Sequence, residues 1–391
     1  MARVLIAPDK FKGSMTAAQV GAAVAAGIRQ VLPDASVTVV PVADGGDGTV
    51  AAALAAGFTA IPVVATGPTG EPVDTTYARR DDLAVVELAD VSGLLRLPDG
   101  KLAPMSATSR GTGEVIAAAV AAGCRRVVLG IGGSAGTDGG AGLLQALGAR
   151  LLDAEGTEIG GGGAALAQVA TMDLTALRER MADVEITVAC DVDNPLTGPH
   201  GAAAVYGPQK GADDRQVTAL DAALTHWADI VAATTGADRR DVPGAGAAGG
   251  VGFAAVAVLD SLLAPGIELV LDLADFGVHL ADADLVVTGE GTLDEQTLHG
   301  KAPAGVAAAA LAADVPVVAV CGRNTLSEDR LHAAGFTAAY SLVAIEPDVH
   351  RCFTEGEELL KRLGTHIAER HLPRTTMATG PAVNHVGIVP Q

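Results

Sequence analysis

Arg3-Val4-Leu5-Ile6-Ala7-Pro8-Asp9-Lys10 carries a short, uninterrupted apolar run that stops on a proline and two charges. A run bounded in this way reads as a strand buried on both faces. Thr16 and Gln19 then stand at capping-box spacing, and Val20, Val24, Ile28 and Val31 form the apolar stripe of the helix they open. Pro33-Asp34 stops that helix, and Ser36 to Val42 reads as a second strand. It runs into Ala43-Asp44-Gly45-Gly46-Asp47-Gly48-Thr49, which leads a further helix through Leu54. Strand, helix, strand, helix is the order of a parallel sheet covered by helices. The C-terminal third repeats it: Ala283 to Val287 is a strand, Pro303 to Ala313 a helix, and Val315 to Val320 a strand ending at Cys321-Gly322-Arg323.

Between these ends the pattern changes. Thr66-Gly67-Pro68-Thr69-Gly70, Val73 to Tyr77 and Leu83 to Leu88 are turn-rich and alternating, which suggests a hairpin. Gly113 to Gly123 reads as an Ala-rich buried helix, and Arg126 to Gly130 as a strand before a Gly-rich loop. Residues 151–163 read as turn and loop, Asp173 to Met181 as a short helix, and Val184 to Ala189 as a strand. The expected fold class is α/β, with one domain made from both chain ends (1–66 and 281–372) and a second α/β domain inserted (67–280). The tail, 373–391, has no periodicity and is expected to be poorly ordered.

Composition sets bounds on function. The 391 residues are 49% hydrophobic but only 3% aromatic, so the core is built from Ala, Val, Leu and Ile. That apolar content excludes disorder, and the 49 glycines show no Gly-X-Y period. No apolar run approaches the roughly 18 residues of a membrane span, and Met1-Ala2-Arg3 leads straight into a strand, so neither membrane nor secretory leader is expected. Cys124, Cys190, Cys321 and Cys352 are far apart, which fits reduced thiols in a cytoplasmic protein. A net charge of −20 argues against nucleic acid. Small anions can still be held by a few local cations and backbone N–H groups. Lys10, Lys12, Lys210 and Lys301 stand in Gly/Asp/Pro-rich segments that suit this role.

Four loops carry candidate chemistry. Gly130-Ile131-Gly132-Gly133-Ser134-Ala135-Gly136-Thr137-Asp138-Gly139-Gly140 can cradle a phosphate or simply form a tight turn. Ala135 breaks the dinucleotide fingerprint, and Gly300-Lys301-Ala302 is not a P-loop. In Ser109-Arg110-Gly111-Thr112-Gly113-Glu114, Arg110 can fork onto a carboxylate or phosphate. Cys190-Asp191-Val192-Asp193-Asn194-Pro195 follows a strand and offers two carboxylates for Mg²⁺ or for general-base work, or an Asx turn. Thr288-Gly289-Glu290-Gly291-Thr292 ends a strand on a carboxylate.

Taken together, these segments resemble the bacterial glycerate kinase type I family. The matching stretches are Ala7 to Ser14, Ala43 to Thr49, Ala107 to Glu114, Gly130 to Gly142, Cys190 to Pro199 and Tyr206 to Ala212. Gly244 to Gly250, Val287 to Gly291 and Gly300-Lys301 complete the set, in unbroken order over about residues 3–345. Lys10 stands where the family usually has Ser, Asp47 where Glu is usual, and Gly136-Thr137 where Thr-Asn is common. The resemblance implies ATP-dependent phosphorylation of D-glycerate at the 2-hydroxyl, giving 2-phosphoglycerate and ADP, with Mg²⁺. It also implies a Rossmann-like parallel-sheet domain formed by both ends, a second inserted domain, and a site in the cleft between them.

On that reading Asp191, Asp44, Lys12 and Arg110 are catalytic. Asp191 is the base or a metal-linked carboxylate, and Arg110 holds the substrate carboxylate. Asp9, Lys10, Ser109 and Asn194 join Arg110 on the substrate side. Gly132, Gly133, Ser134, Gln209, Lys210 and Glu290 are assigned to ATP, and Asp191 with Asp193 to the metal. Which loop holds ATP stays open, and the chain admits a homodimer. Two other readings stand beside this one. A nicotinamide-dependent hydroxy-acid oxidoreductase would use the Gly130 loop with Asp153 on the ribose, although Asp153-Ala154-Glu155-Gly156 reads as a turn. A non-catalytic metabolite sensor would need a partner module, and no basic helix is visible.

Overall fold

The computed structural model describes residues 1–373; the expected disordered tail lies, from residue 374 on, outside the described residues. In chain order the strands are β1 (Arg3–Pro8), β2 (Ser36–Val39), β3 (Thr59–Thr66), β4 (Pro72–Arg80), β5 (Leu83–Glu87), β6 (Arg126–Gly130) and β7 (Arg150–Leu152). They continue with β8 (Thr171–Asp173), β9 (Glu185–Ala189), β10 (Leu262–Ala264), β11 (Leu285–Leu293), β12 (Val317–Asn324) and β13 (Ala338–Ser341).

The two chain ends make one five-stranded sheet, ordered β13-β12-β11-β1-β2 and parallel throughout. Its strands are apolar on both faces, as parallel strands under two helix layers must be. Val4, Ile6, Leu285, Val287, Val318 and Val320 point to one face, against helices Ala17–Val31 and Gly356–His371. Leu5, Ala7, Val286, Val317 and Ala319 point to the other, where Val306 and Ala310 of helix Ala302–Ala312 meet them. The helix predicted from Thr16 begins there with a complete capping box and buries Val20, Val24 and Ile28. Full burial of such side chains contributes about 1.5–3 kcal/mol each, and the cap about 1 kcal/mol.

The second sheet is six-stranded and mixed, ordered β10-β9-β6-β5-β4-β3. Strands β5, β6, β9 and β10 are parallel, and β3-β4-β5 form an antiparallel meander. The expected hairpin is present as β4 and β5, and a further strand precedes it: β3 falls inside the segment 1–66 yet pairs with β4 in this second sheet. Pro62 hides this strand in the sequence, because a proline within an apolar run argues against a central strand. Here β3 is an edge strand, where proline is tolerated.

Two helices belong to both halves. Helix Thr49–Ala55 sets Ala52 into the terminal sheet's core, and Val50 and Ala53 against Ala78, Val85 and Val128 of the second sheet. Helix Gly266–Leu273 does the same, with Ile267 and Val270 on one side and Leu273 on the other. At the head of this shared layer three loops touch through glycine. A Cβ on Gly132 would lie 2.6 Å from Gly46 Cα, and one on Gly45, whose φ is +83°, would lie 2.8 Å from Gly266 Cα. Only glycine lets these loops, which come from both sheets, approach so closely.

Candidate active site

In the terminal sheet β1 and β11 are neighbours, but the chain leaves β1 toward β2 and β11 toward β12. Such a reversal opens a crevice at the carboxyl ends of the strands. A cavity of about 630 Å³ fills it, lined by the loops after β1, β2, β11 and β12. Asp9, at the end of β1, is only 8% exposed. Its carboxylate accepts the Lys10 N–H at 2.7 Å and lies 3.5 Å from Lys10 Nζ. Burial, with Asp44 and Glu290 nearby, pushes it up to about 6 against the pull of Lys10. Burial also opposes the charge on Lys10, but Asp9, Asp44 and Asp47 outweigh it and hold the ammonium above its ordinary value. Lys10 Nζ donates to the Asp47 carbonyl at 2.5 Å. Glu290 accepts from Thr297 Oγ1 at 2.5 Å and lies 3.5 Å from Lys301 Nζ; burial raises its pKa. Lys12 and Arg323 also line the cavity, and neither makes an ion pair among the described residues.

A second cavity of about 240 Å³ adjoins the first, on the side of the second sheet. Asp44, Gly46, Gly132 and Gly133 line both. The N–H groups of Gly132, Gly133 and Ser134 make no hydrogen bond among the described residues, the first two at this shared edge and the third beside it on the smaller cavity. Lys210 lies beneath it, 1% exposed. Its ammonium donates to Ser134 Oγ at 2.8 Å and to the Gly136 carbonyl. No carboxylate pairs with it among the described residues, and burial pushes it down to about 7 against the field of Asp138. Opposite, Asp191 follows β9 and accepts the Gly266 N–H at 2.8 Å. Its surface faces the open cleft, yet the concave walls desolvate it and push it up to about 6, with Asp44 and Glu268 adding to the shift against the Gly266 bond. Gln209 stands exposed at the rim.

The sequence pattern of the Glycerate kinase family matches residues 4–372. The chain belongs to the glycerate kinase family. It is 46% identical to a glycerate kinase of Bacillus subtilis strain 168 and 42% identical to a glycerate 2-kinase of Escherichia coli K12. In each case the match covers 94% of this chain and 97% of the relative. A solved structure from Salmonella typhimurium LT2, provisionally named glycerate kinase 2, superposes with a TM-score of 0.83 at 42% identity. That match covers 94% of this chain and 97% of the other.

In this family member the cleft brings together Asp9, Lys10, Lys12, Asp44, Gly132, Gly133, Ser134, Asp191, Gln209, Lys210 and Glu290. Four expected residues stand elsewhere. Arg110 lines neither cavity; its Nε donates to Glu114 at 3.0 Å across one helical turn. Ser109 is buried, with its N–H and Oγ both donating to Asp138, which also accepts from Thr108, Gly140 and Gly142. That network, with the Leu143 N–H donating to Ser109 Oγ, braces the Gly132 loop from behind and keeps Ser109 buried there. Asn194 accepts from Tyr206 Oη at 2.6 Å, so it positions a wall residue of the smaller cavity and does not line the space itself. Asp193 is exposed and lines neither cavity, whereas Asp191 lines the smaller one. Asp153, which the oxidoreductase reading needs, accepts the N–H groups of Glu155 and Thr157 in a turn.

Other contributors carry no motif in the sequence. Glu87 ends β5 and accepts from the N–H groups of Gly48 and Val50, so the second sheet caps a helix that follows β2. Burial pushes Glu87 up to about 7 against those two bonds. A lone acid closing an apolar run is the one signal that could have pointed to it. Arg323 closes the apolar run from Val315 in the same way, whereas Val349 and Phe353 line the larger cavity from segments without any such signal.

Proposed function

We propose that this family member transfers the γ-phosphoryl of ATP to the 2-hydroxyl of D-glycerate, giving 2-phosphoglycerate and ADP, with ATP in the larger cavity and glycerate in the smaller. One observation carries this reading: two cavities of unequal size meet along an edge of free N–H donors, with an unpaired buried lysine in the smaller. The larger space suits a nucleotide and the smaller a three-carbon acid. Lys210 has no counter-ion of its own, and the substrate carboxylate supplies one. This moves the carboxylate contact from Arg110 to Lys210, and with it Lys210 and Gln209 pass from the ATP side to the glycerate side while Asp9 and Lys10 pass the other way. Asp191 takes the hydroxyl proton, because its raised affinity suits a base near neutral pH. The hydroxyl oxygen bonds to the γ-phosphorus while the bond to the β–γ bridging oxygen breaks, and ADP leaves with that electron pair. Gly132, Gly133 and Ser134 point N–H donors at the transferring group, and Lys10, Lys12 and Lys301 offset triphosphate charge.

Among the described residues no group of three or more His, Cys, Asp or Glu could cage a metal. Mg²⁺ does not need one, since kinases hold it by one or two carboxylates together with the phosphates. Asp44, at the shared edge, and Asp9 fit that role, and the ion would supply charge neutralisation. The E. coli relative's name supports the 2-hydroxyl. Among the described residues no helix is long and apolar enough to cross a membrane. Four free cysteines suit the reducing, ATP-supplied cytoplasm. We further place one lobe on each sheet, with the cleft between them.

A coupled ADP-release assay over a panel of short hydroxy acids, followed by NMR of the product, tests the whole reading. ADP should form only with glycerate or a near analogue and should stop with EDTA. Metal-independent turnover, or none with any hydroxy acid, overturns it.

A further inference from the structure

We infer that the far end of the larger cavity is a stacking shelf that accepts any nucleobase, so the enzyme draws phosphoryl groups from GTP and other nucleoside triphosphates nearly as well as from ATP. This rests on the placement of the nucleotide proposed above. The sheet order gives the cavity its polarity. The acids and lysines stand on the loops after β2, β1 and β11, whereas the loops beyond β12 and β13 line its other end. From β1 to β13 is three strand spacings, about 14 Å, which is the reach of an extended triphosphate with its ribose and base.

At that far end the lining side chains are Leu342, Val343, Val349 and Phe353, with Arg323 and Cys352. Phe353 is 55% exposed and Val349 57% exposed. A chain with 3% aromatic residues thus leaves one phenyl ring in solvent at the mouth of a cavity whose opposite end is charged. Base on apolar shelf and triphosphate on cations is the complement of a nucleotide. The shelf has little with which to read a base. Telling adenine from guanine requires an acceptor for the 6-amino group. The lining acids stand on or after β1, β2 and β11, and the acids flanking the shelf are already engaged, Asp348 by the N–H groups of His350 and Arg351, Glu346 and Glu355 by the Arg351 guanidinium. The Cys352 thiol already donates to the Glu346 carbonyl. Arg323 only donates, and its fork suits the O6 and N7 of guanine at least as well as anything on adenine. Sites that hydrogen-bond a group reject its analogue strongly; sites that only pack against it do not. Every base has a π-face. The transfer itself is unchanged by the base: the γ-phosphorus–oxygen bond breaks, the glycerate oxygen–phosphorus bond forms, the hydroxyl proton goes to Asp191, and the matching nucleoside diphosphate leaves.

The test measures kcat/KM for ATP, GTP, ITP and CTP at saturating glycerate, with calorimetric Kd values for ADP, GDP and CDP as a second readout. The three purine triphosphates should agree within about fivefold, CTP should trail within about tenfold through its smaller face, and the Kd values should follow. Phe353→Ala should weaken every nucleotide about tenfold by the same factor, and Phe353→Trp should tighten them. A preference for ATP over GTP above a hundredfold, or a Phe353→Ala defect confined to adenine nucleotides, overturns the inference while leaving the kinase reading intact. Turnover with none of the four overturns both.

Discussion

Lys10 and Lys210 are the same side chain in two opposite electrical settings. Lys10 stands among Asp9, Asp44 and Asp47, which hold its ammonium above the ordinary value. Lys210 stands beneath a glycine loop with a hydroxyl and a carbonyl for company, and burial brings it down to about 7. A lysine already matched by carboxylates is comfortable without ligand and can exchange one anion for another when phosphate arrives. An unmatched buried lysine leaves the empty protein at a cost that an anion then relieves. Lys10 is therefore neutralised in advance, and Lys210 waits for an anion.

The comparison can be broken at several points. Asp191→Asn should cause the largest loss, on the order of 10²–10⁴-fold in kcat with the fold intact, since the amide keeps the Gly266 hydrogen bond but cannot take a proton. A melting curve beside kcat checks it; a folded variant retaining more than about a tenth of the rate removes Asp191 from the chemistry. Next comes Lys210→Met, with a drop of roughly 10²-fold in kcat/KM for glycerate and KM for ATP nearly unchanged, as for removal of one partner of a buried charged pair. In the unmutated enzyme the same lysine sets a pH limb. The charge that the proposed carboxylate contact needs is lost as pH rises through about 7, so kcat/KM for glycerate should fall above that pH. Asp191 must be ionised, so activity should also fall as pH drops through about 6. A profile flat from about pH 5.5 to 8 contradicts both assignments. Lys10→Met should raise KM for ATP about tenfold and leave KM for glycerate alone, because the substitution removes a charge-assisted bond to phosphate. A glycerate-selective defect would interchange the two cavities. Arg110→Ala should be the mildest change, under about threefold in kcat/KM, since an exposed ion pair one turn apart is worth only a few tenths of a kcal/mol. A loss of about thirtyfold or more would return Arg110 to the substrate.

The fold is largely legible in the sequence because buried parallel strands have a distinctive text. Val4 to Ala7, Val127 to Leu129 and Leu285 to Val287 are short apolar runs followed within two residues by proline or glycine, and each lies in a central strand. The loops after them are legible for the same reason, since glycine marks the tight approaches at Gly45, Gly132 and Gly133. What escapes depends on which residues meet. Arg110 in a glycine-rich loop reads the same whether it awaits a substrate or pairs with Glu114; the acid four positions on is the clue that favours the pair. Cavity walls made by Asp9 and Phe353 join residues from opposite ends of the chain, and no local pattern records that. Nor does sequence distinguish an exposed phenylalanine from a buried one, so the shelf beside Leu342 is invisible in it.

The two helices shared between the sheets also bear on how the molecule comes apart. Ile267 and Val270 are reached through the second sheet's strands, yet they complete the terminal sheet's core, and Val50 and Ala53 return the exchange. Neither core can be opened without exposing apolar area that the other relies on. Calorimetric melting should accordingly give one heat-absorption peak whose van't Hoff and calorimetric enthalpies agree, where two sheets joined by a simple linker would give two. By the same logic a gene cut to keep only the terminal segments should not yield a folded protein, because the insertion supplies part of the layer that closes the terminal sheet.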